Sequence, residues 1–381
     1  MSDSTHTAPH STSPLISIGK TRVGRGHPVF LIAEIGINFN GSLNTAKQLI
    51  RAAAKAGCNA AKFQLFTAKQ MYPKSAGSVT WQSPKGSYEY DIYSAVEKNE
   101  LPSDWLQELR TECFTHNLHF ILSVFDEESL AKAVSAGSEA IKIGSSELTH
   151  IPLIRAAART SLPLIISTGG ATLSEVTKAY DVALQEKAAV AILHCNVQYP
   201  TPLESVHMNT LNTLQNEFPR ALIGFSDHTK EPADAPVAAV CLGATIIEKH
   251  ITLDRSSPGP DHFFALEPTQ LQEMVHAVRE AEQMLAQNKT PSFPQIILGS
   301  HNKTTYENEQ YLRDFAYRCI FAARDIKAGE PLTSDSLAVL RPGKKKRGLN
   351  PEHFDELITM YRARQTIKAE QPITWKEVEK R

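Results

Sequence analysis

Eight short hydrophobic runs divide the chain, and between them apolar and polar positions repeat with the period of an amphipathic helix. Within each run the hydrophobic residues are consecutive instead of alternating, which indicates parallel strands buried on both faces. Eight strands, each followed by a helix, over about 260 residues predict a (β/α)8 barrel, or TIM barrel, of the α/β class. The predicted strands cover residues 29–34, 59–64, 119–124, 139–144, 162–168, 188–195, 220–226 and 243–250, and the clearest helices cover 44–57, 101–116, 173–185 and 268–287.

A doubly wound open sheet is the alternative arrangement of the same elements. Sheets of that kind commonly carry a glycine-rich dinucleotide-binding turn after the first strand. Here the first strand runs into "EIGINFNG" (34–41), which lacks that glycine spacing. The barrel is therefore the better prediction.

The alternation of strands and helices is interrupted at two places, and these define the domain organisation. Residues 67–94, after the second strand, are rich in Ser, Gly, Pro, Lys and Tyr, and so long a loop predicts a lid or a partner-binding element. Beyond residue 287 the pattern changes to short β-type runs separated by turn residues. We predict a disordered tail over 1–15, the barrel over 16–287, a linker over 288–312 and a small, mainly β second domain over 313–381.

The composition narrows the class of protein. Lys and Arg number 40 and Asp and Glu 41, so the formal charge of -1 gives no general attraction to nucleic acid or to an anionic membrane. The five cysteines are scattered without a CxxC pair, which is typical of thiols in a reducing compartment. No run approaches the roughly 18 apolar residues of a membrane-spanning helix, and the first residues lack the features of a signal peptide. We expect a cytoplasmic protein that binds neither nucleic acid nor membrane.

Polar and charged side chains follow almost every predicted strand. In a barrel of this kind the carboxyl ends of the strands surround one mouth, where active sites lie. A lysine or glutamate in such a position can also simply pair inside the barrel, and this structural interpretation applies most directly to Lys62 and Glu248. The residues at the strand ends are Glu34, Lys62, Ser123, Lys142, Ser145, Glu147, Ser167, Tyr199, Ser226, His228, Glu248 and His250.

These side chains form a chemically consistent set. Two lysines and several hydroxyl groups suit a phosphate or a carboxylate, through charge-assisted hydrogen bonds. His228 and His250 offer imidazole nitrogens with no thiolate expected nearby, which suits Mn, Mg or Zn with positions open to water or substrate. Glu34, Glu147 and Asp261 are carboxylates for proton transfer or for binding hydroxyls. The pattern alone indicates a metal-assisted enzyme for a small, anionic, hydroxylated substrate.

The same residues carry a resemblance to the sialic acid synthase family, which makes N-acetylneuraminate and related nonulosonic acids. The resemblance runs in order over about residues 16 to 378. The segment "RDFAYRCIFAARDIKAGE" (313–330) resembles the antifreeze-like (SAF) domain that ends these synthases, and "AVLRPG" (338–343) and "GLNPEHF" (348–354) resemble the branch named for bacterial spore-coat polysaccharide synthesis. The matching barrel motifs are "AEIGINFNG" (33–41), "AAKFQLF" (60–66), "IKIGSSE" (141–147), "IISTGG" (165–170), "LHCNVQYPTP" (193–202), "GFSDHT" (224–229), "GATIIEKHIT" (243–252) and "GPDH" (259–262).

The resemblance implies a condensation of phosphoenolpyruvate with the open-chain aldehyde of an N-acetylated sugar of the N-acetylmannosamine type, with release of phosphate. His228 and His250 would hold a divalent metal, Mn or Mg, that polarises the aldehyde oxygen. Catalytic roles would fall to Glu147, as the acid–base residue, and to Glu34 and Arg341. By the same resemblance, phosphoenolpyruvate is bound by Lys62, Ser123, Lys142, Ser145, Ser167 and Ser226, and the sugar by Tyr199, Asp261, Phe315 and Arg341.

The resemblance also implies a role for the second domain. In the family this domain caps the barrel of the partner subunit, so we expect a homodimer with exchanged domains. Phe315 and Arg341 would reach into the mouth from that cap. The implied product is a nonulosonic acid for surface polysaccharide or glycan biosynthesis.

Four departures from the family pattern stand close to the predicted site. The usual histidine of an "NHNG" turn is Phe39, and the usual proline after Ser123 is Val124. Some members use an amide on phosphoenolpyruvate where this chain has Val197, and the usual "STGM" turn ends in Gly170. None of these changes removes a predicted metal ligand or lysine, so activity is expected, with differences in the sugar pocket.

Other functions fit parts of the pattern. A metal hydrolase on this barrel commonly has an HxH pair after the first strand, which is absent. A Schiff-base aldolase could use Lys142 or Lys62. A non-catalytic sugar-binding or ice-binding relative would not need the full set of lysines, histidines and carboxylates. The basic run "KKKR" (344–347) beside a Pro-Gly turn is interpreted as a solvated loop.

Overall fold

The fold is described from a computed structural model that covers residues 14–83 and 86–381. The predicted disordered tail lies almost entirely outside the described residues. The strands are β1 (Leu15–Ile18), β2 (Thr21–Gly24), β3 (Phe30–Gly36), β4 (Ala60–Leu65), β5 (Ser78–Ser83), β6 (Gly86–Asp91), β7 (His119–Val124), β8 (Ile141–Ile143), β9 (Leu164–Ser167), β10 (Val190–Cys195), β11 (Leu222–Asp227), β12 (Ile246–His250), β13 (Cys319–Ala322), β14 (Leu337–Leu340), β15 (Tyr361–Ala363) and β16 (Val378–Lys380).

The helices alternate with the strands over most of the chain. None of them, in the described residues, is both long and apolar enough to cross a membrane. They are α1 (Leu43–Ala56), α2 (Ala68–Met71), α3 (Ile92–Glu97), α4 (Leu106–Thr115), α5 (Glu127–Ser135), α6 (Ile151–Ala158), α7 (Leu173–Gln185), α8 (Thr210–Glu217), α9 (Asp234–Cys241), α10 (Pro268–Ala286), α11 (Glu307–Ala316) and α12 (Phe354–Met360).

Eight strands close into a parallel barrel in the order β3, β4, β7, β8, β9, β10, β11, β12 and back to β3. Each of them overlaps one of the eight predicted runs, so the (β/α)8 prediction is confirmed. All seven residues of β3 are buried. The reason is that one face of the strand meets the barrel interior and the other meets the helices, which also explains the continuous hydrophobicity of the runs.

Local sequence signals set the helix ends. The Ser42 hydroxyl accepts a hydrogen bond from the backbone of Thr45 at the start of α1, and Gly57 ends that helix at φ 90°, a conformation that glycine adopts without strain. Thr172 and Glu175 form a capping box at the start of α7. These signals fix both ends of α1 and the start of α7.

The β1–β2 hairpin closes one end of the barrel. Ile16, Ile18 and Val23 of the hairpin join the interior cluster that includes Phe30 and Ile121. A hydrogen bond of 2.8 Å joins Thr21 to the ring of His119, the first residue of β7, so the hairpin covers the amino ends of the strands. The opposite end is left for the predicted site.

The predicted lid over 67–94 contains the β5–β6 hairpin between α2 and α3. Its described part contacts the C-terminal domain: Arg341 N–H donates to Met71 C=O at 2.8 Å, and Lys344 N–H donates to Ala76 C=O at 2.9 Å. This segment therefore lies between the barrel and the C-terminal domain, and its role as a lid or partner site stays a prediction.

The C-terminal domain, residues 317–381, is called the cap from here on. It contains two antiparallel pairs, β13–β14 and β15–β16, around a hydrophobic cluster of its own. The predicted boundary at residue 313 falls inside α11, so the linker ends in a helix. The linker follows the barrel, with hydrogen bonds from Met208 N–H to Ile297 C=O (2.9 Å) and from Leu173 N–H to Lys303 C=O (3.0 Å). The cap covers the mouth of its own barrel, and the predicted exchange between subunits stays a prediction.

Candidate functional site

The strand register brings the predicted residues side by side at the mouth. Glu34 on β3 pairs in register with Lys62 of β4 on one side and with His250 of β12 on the other. Ser123 on β7 pairs with Lys142 of β8. Because carboxyl ends of parallel strands meet at one edge, residues far apart in the sequence become neighbours here.

Lys62 is held by two carboxylates. Its Nζ lies 2.8 Å from Glu34 Oε2 and 3.5 Å from Glu248 Oε1, and it donates to Ser123 Oγ at 2.9 Å. Burial lowers the pKa of Lys62, but the neighbouring carboxylates outweigh this effect and raise the pKa above its usual value. Lys62 is thus paired inside the barrel, as the alternative interpretation of the sequence allowed, and its raised pKa favours the charged amine.

Lys142 is the second buried cation. Its Nζ donates to Ser167 Oγ at 2.7 Å and lies 3.7 Å from Glu248 Oε1, which also accepts from Ser226 Oγ at 3.1 Å. Burial lowers the pKa of Lys142, although Glu248 opposes this effect. The two lysines thus flank one carboxylate, that of Glu248, a residue predicted at the mouth without a substrate role.

His228 and His250 lie together, with ring centroids 5.4 Å apart. His228 Nδ1 donates to Asn196 C=O at 2.7 Å, which leaves Nε2 as the acceptor nitrogen. His250 Nδ1 is buried without a hydrogen-bond partner and lies 3.8 Å from Asp261 Oδ2. Burial raises the pKa of Asp261 to about 6. The pair resembles two metal ligands with one ring fixed by an outer partner.

The donor set fits a divalent ion with open coordination positions. In the described part of the chain, no group of three or more His, Cys, Asp or Glu residues is placed to hold a metal. A divalent ion held by His228 and His250 would take its remaining ligands from water or substrate. One expectation is wrong: Cys195 Sγ lies 3.8 Å from His228 Nδ1, because Cys195 ends β10 beside β11.

Aromatic rings surround the histidine pair. The ring of Tyr199 lies 4.4 Å from that of His228 between centroids, and the ring of Phe264 lies 5.0 Å from that of His250. Tyr199 is 37% exposed, so it borders the opening, and its predicted contact with the sugar stays a prediction. Phe264 was not predicted, since it follows "GPDH" in a loop with no periodic pattern.

Glu147 is fully buried and is held from the cap. Its Oε1 accepts from Arg341 Nη2 at 2.8 Å and from Arg318 Nε at 3.2 Å. Its Oε2 has no hydrogen-bond partner. Burial lowers the pKa of Arg341, but Glu147 raises it more, so the pKa of the guanidinium is raised overall. The arrangement fixes one carboxylate oxygen and leaves the other free.

Two further predicted residues lie at the edge of this group. Ser145 Oγ accepts a hydrogen bond from Gly169 N–H at 3.0 Å, which connects the loops after β8 and β9. Phe315 lies on α11, and its ring packs against Tyr72 of the insert at 6.0 Å between centroids. The structure therefore brings Ser145 to the mouth and places Phe315 where the insert meets the cap.

The departures from the family pattern have separate structural explanations. Phe39 is fully buried and packs near Phe63, at 6.4 Å between ring centroids, so it is a core residue. Val124 is buried in the layer between strands and helices. Gly170 has φ +66°, and a Cβ added to it would lie 2.8 Å from Val197 Cγ2. The absence of a side chain at Gly170 thus leaves the space that the side chain of Val197 occupies.

Two buried charged residues of the site were also not predicted. Arg318 stands in the apolar run "AYRCIFAA" (316–323), and a charge inside such a run is the signal that could have identified it. Glu309 lies in the linker helix α11, where the exposed neighbours on both sides gave no such signal. Both make their contacts with loops of the barrel more than 100 residues earlier.

Comparison with known proteins gives two family matches. The model of the NeuB family matches residues 49–290, and the model of the SAF domain matches residues 317–379. These ranges correspond to most of the barrel and to the cap.

Individual relatives match over nearly the whole chain. The chain is 42% identical to the spore coat polysaccharide biosynthesis protein SpsE of Bacillus subtilis, over 95% of this chain and 96% of that protein. The crystal structure of SpsE superposes with a TM-score of 0.86 at 41% identity, covering 96% of this chain and 99% of that chain. An N,N'-diacetyllegionaminic acid synthase of Legionella pneumophila is 33% identical, over 93% of this chain and 96% of that protein. The structure of N-acetylneuraminic acid synthetase from Leptospira borgpetersenii has a TM-score of 0.66 and 31% identity, covering 74% of this chain and 94% of that chain.

Proposed function

Because the chain belongs to the NeuB family, we propose that it is a phosphoenolpyruvate-dependent synthase that makes a nonulosonic acid. Relatives of this family are named synthases, and the chain is a condensing enzyme of the transferase type. The second substrate in this proposal is the open-chain aldehyde of an N-acetylated sugar of the N-acetylmannosamine type. The product would enter surface polysaccharide biosynthesis from the cytoplasm.

The observation that supports this proposal best is the pair of buried lysines at the mouth. Lys62 and Lys142 lie within 3.7 Å of one carboxylate oxygen, Glu248 Oε1. Each lysine also donates to a hydroxyl, Ser123 Oγ or Ser167 Oγ, that can turn towards a ligand. Phosphoenolpyruvate carries two anionic groups, a phosphate and a carboxylate, and such a set of cations and hydroxyls suits both.

In the proposed reaction C3 of phosphoenolpyruvate attacks the aldehyde carbon and a carbon–carbon bond forms. The aldehyde oxygen takes up a proton, and water adds to C2. The tetrahedral centre then loses phosphate with cleavage of the bond between C2 and the phosphate oxygen, which leaves a 2-keto acid. Lys62, Lys142 and the serines hold the phosphate and the carboxylate throughout, so that the enol stays aligned with the aldehyde.

Glu147 and Glu34 have different parts in this proposal. Two guanidinium groups donate to Oε1 of Glu147, and the unpaired Oε2 can accept a hydrogen bond from the attacking water. Burial raises the pKa of Glu34, which favours its role in carrying a proton. Asp261 and Tyr199, next to the histidine pair, would bind the sugar hydroxyls.

His228 and His250 would hold the divalent metal, Mn or Mg. When bound, such an ion supplies Lewis-acid polarisation of the aldehyde oxygen. The chain's own contribution is to keep His228 in one tautomer through Asn196 C=O and to pack its ring against Phe264, at 5.7 Å between centroids.

A homodimer with exchanged caps is part of the proposal on the strength of the family resemblance. A domain exchange reproduces the contacts of the closed chain between subunits, with only the connecting segment rerouted. The contacts of Arg341 and Arg318 with Glu147 would then be the same in both arrangements. The segment to be rerouted includes Lys303, whose C=O accepts from Leu173 N–H of the barrel.

The proposal is tested by incubating the purified protein with phosphoenolpyruvate and a panel of N-acetylated hexoses, with and without a 6-phosphate. Mass spectrometry should show a nine-carbon 2-keto acid and an equal amount of free phosphate for one member of the panel. Lys142→Gln should lose this activity, whereas Lys55→Gln, at an exposed position of α1, should retain it. No product from any N-acetylated hexose with phosphoenolpyruvate would contradict the proposal.

One observation favours a second candidate, a Schiff-base aldolase. Burial lowers the pKa of Lys142, as in lysines that attack carbonyl groups. Borohydride reduction in the presence of pyruvate would then add a three-carbon adduct to Lys142. Turnover of phosphoenolpyruvate with release of phosphate and without such an adduct selects the synthase.

A further inference from the structure

The turn Gly169–Gly170 after β9 is bound from outside the barrel. Gly169 N–H donates to Ser145 Oγ within the barrel, at 3.0 Å. The other three polar backbone atoms of the turn have partners in residues 305–317: Tyr317 O–H donates to Gly169 C=O, Gly170 N–H donates to Glu309 Oε1, and Gly170 C=O accepts from Thr305 and Arg313. The linker helix and the first residue of the cap thus fix the position of both glycines.

Glu309 is the central residue of these contacts. It is 1% exposed, and its Oε1 accepts from Gly170 N–H at 3.0 Å and from Val197 N–H at 2.9 Å. Its Oε2 accepts from Tyr306 N–H at 3.2 Å. One carboxylate therefore joins the loops after β9 and β10 to the start of α11, and the buried ammonium of Lys303 faces the same charge.

The turn leads directly to side chains of the proposed anion site. Ser167, two residues before Gly169, binds Lys142 at 2.7 Å, and Ser145 binds the Gly169 N–H. The turn also has no free space, since a Cβ at Gly170 would lie 2.8 Å from Val197 Cγ2. A shift of Gly170 would therefore move groups that hold the anion.

We propose that Glu309 is a positioning residue that sets the Gly169–Gly170 turn and, through it, the anion-binding hydroxyls of Ser145 and Ser167. Docking of α11 and the cap is thereby coupled to the affinity for the anionic substrate. The identity of that anion as phosphoenolpyruvate rests on the proposed function; the control of the turn by Glu309 does not.

The variants of Glu309 separate its contacts. Glu309→Ala leaves the buried N–H groups of Gly170 and Val197 without an acceptor, and the turn should relax until water reaches them. Glu309→Gln keeps a carbonyl oxygen for these two N–H groups, and it loses the acceptor for Tyr306 N–H and the negative charge that faces Lys303. Glu307→Ala, at the exposed start of the same helix, is the matched control.

The experiment combines hydrogen exchange with kinetics in the full-length protein. In Glu309→Ala we expect faster amide exchange in peptides covering 168–171 and 196–198, a KM for phosphoenolpyruvate raised about tenfold, and a KM for the sugar within twofold. Glu309→Gln should recover most of both effects, and Glu307→Ala should match the parent protein. Inorganic phosphate, titrated by calorimetry, is the second probe and should bind more weakly to Glu309→Ala.

Several results would overturn this proposal. One is unchanged exchange at 168–171 in Glu309→Ala; another is an unchanged affinity for both phosphoenolpyruvate and inorganic phosphate. Faster exchange across the whole barrel, with both KM values raised alike, would assign Glu309 to general stability. If Glu309→Ala does not fold, Glu309→Gln must show a smaller change in the same direction, and a parent-like result there contradicts the proposal. If the parent protein binds phosphate but does not turn over phosphoenolpyruvate, the proposed function fails and the exchange data still test the turn.

Discussion

Arg341 of the cap binds a single carboxylate oxygen of Glu147 in the barrel. Both Nε and Nη2 of the arginine donate to Glu147 Oε1, at 3.2 and 2.8 Å, across 194 positions of sequence. The cap is therefore bound to the mouth through a group with a proposed catalytic role. Replacement of Arg341 alone would leave the buried carboxylate of Glu147 paired with Arg318.

Replacement of Arg341 tests this relationship. Arg341→Ala should lower kcat about a hundredfold, because Glu147 loses the partner that fixes its Oε1, whereas Arg341→Lys should recover part of the rate. Steady-state kinetics and a thermal melt would be measured together. Arg364→Ala, on the exposed surface of the cap, is the control and should leave kcat unchanged. An unaltered kcat in Arg341→Ala would assign the pair to stability alone.

Metal removal tests the histidine pair. Treatment with EDTA should abolish turnover, and addition of Mn or Mg should restore it, because two imidazoles hold a metal less tightly than a closed site of four ligands. His228→Ala and His250→Ala should each lose about a thousandfold in activity and also the bound Mn, measured by elemental analysis. His276→Ala, exposed on α10, should bind Mn as the parent does. Full activity in metal-free protein would contradict this assignment.

The pH dependence of phosphoenolpyruvate binding should reflect Lys142. Burial lowers its pKa, so this amine loses its proton at a lower pH than an ordinary lysine, whereas the pKa of Lys62 is raised. As pH rises through the lowered pKa, one cation is lost and the KM for phosphoenolpyruvate should increase. Lys142→Arg keeps a charge at alkaline pH, so its KM should stay flat over the same range. Parallel profiles for the two proteins would show that another group titrates.

The stability of the fold should fall on the acid side because of buried neutral histidines. Burial lowers the pKa of His194 to about 3, so in the folded protein the ring stays neutral below the pH at which it is protonated in the unfolded chain. Its contribution is therefore present above about pH 6.5 and is lost as pH falls, by about 2 kcal/mol at pH 5. Urea unfolding at pH 7.5 and 5 should show a smaller acid loss in His194→Gln than in the parent. An equal loss in both would exclude His194 as the cause.

Mixed dimers test the exchange of caps. His250→Ala inactivates a barrel and Arg341→Ala inactivates a cap, so each variant alone should be nearly inactive. If caps are exchanged, co-expression gives mixed dimers in half of the molecules, each with one intact site, and about a quarter of the parent activity returns. Activity no greater than the sum of the two variants would show that each cap serves its own barrel, as in the single chain described here.

The strands of the barrel could be predicted because each is buried on both faces and therefore reads as a continuous hydrophobic run. The residues at their carboxyl ends, such as Lys62 and His250, followed from the same pattern, since the fold itself assigns them to the mouth. The pairing of Lys62 with Glu34 and Glu248 was foreseen only as an alternative. A single sequence does not show whether such a lysine forms a structural ion pair or binds a ligand.

The contacts between the cap and the barrel could not be predicted in this way. Glu309 and Arg318 find partners through tertiary packing of segments that are distant in sequence, and no periodic pattern encodes such partners. Phe39 shows the opposite case: it occupies a family site position but belongs to the core, where it packs near Phe63 and Trp105. A substitution in a motif can thus reflect the packing of the core instead of a change in the reaction.

The hairpin over the amino ends of the barrel determines how the protein can be attached to a solid support. A tether joined ahead of Leu15 would leave from the closed base, because β1 and β2 lie there with Ile16 and Val23 packed into the interior. Arg381, at the other terminus, is bonded to the backbone of Leu332 and Tyr361 within the cap. A biosensor or flow reactor built through the base should keep the entrance facing the liquid, whereas anchoring through Arg381 would pull on the cap that closes it.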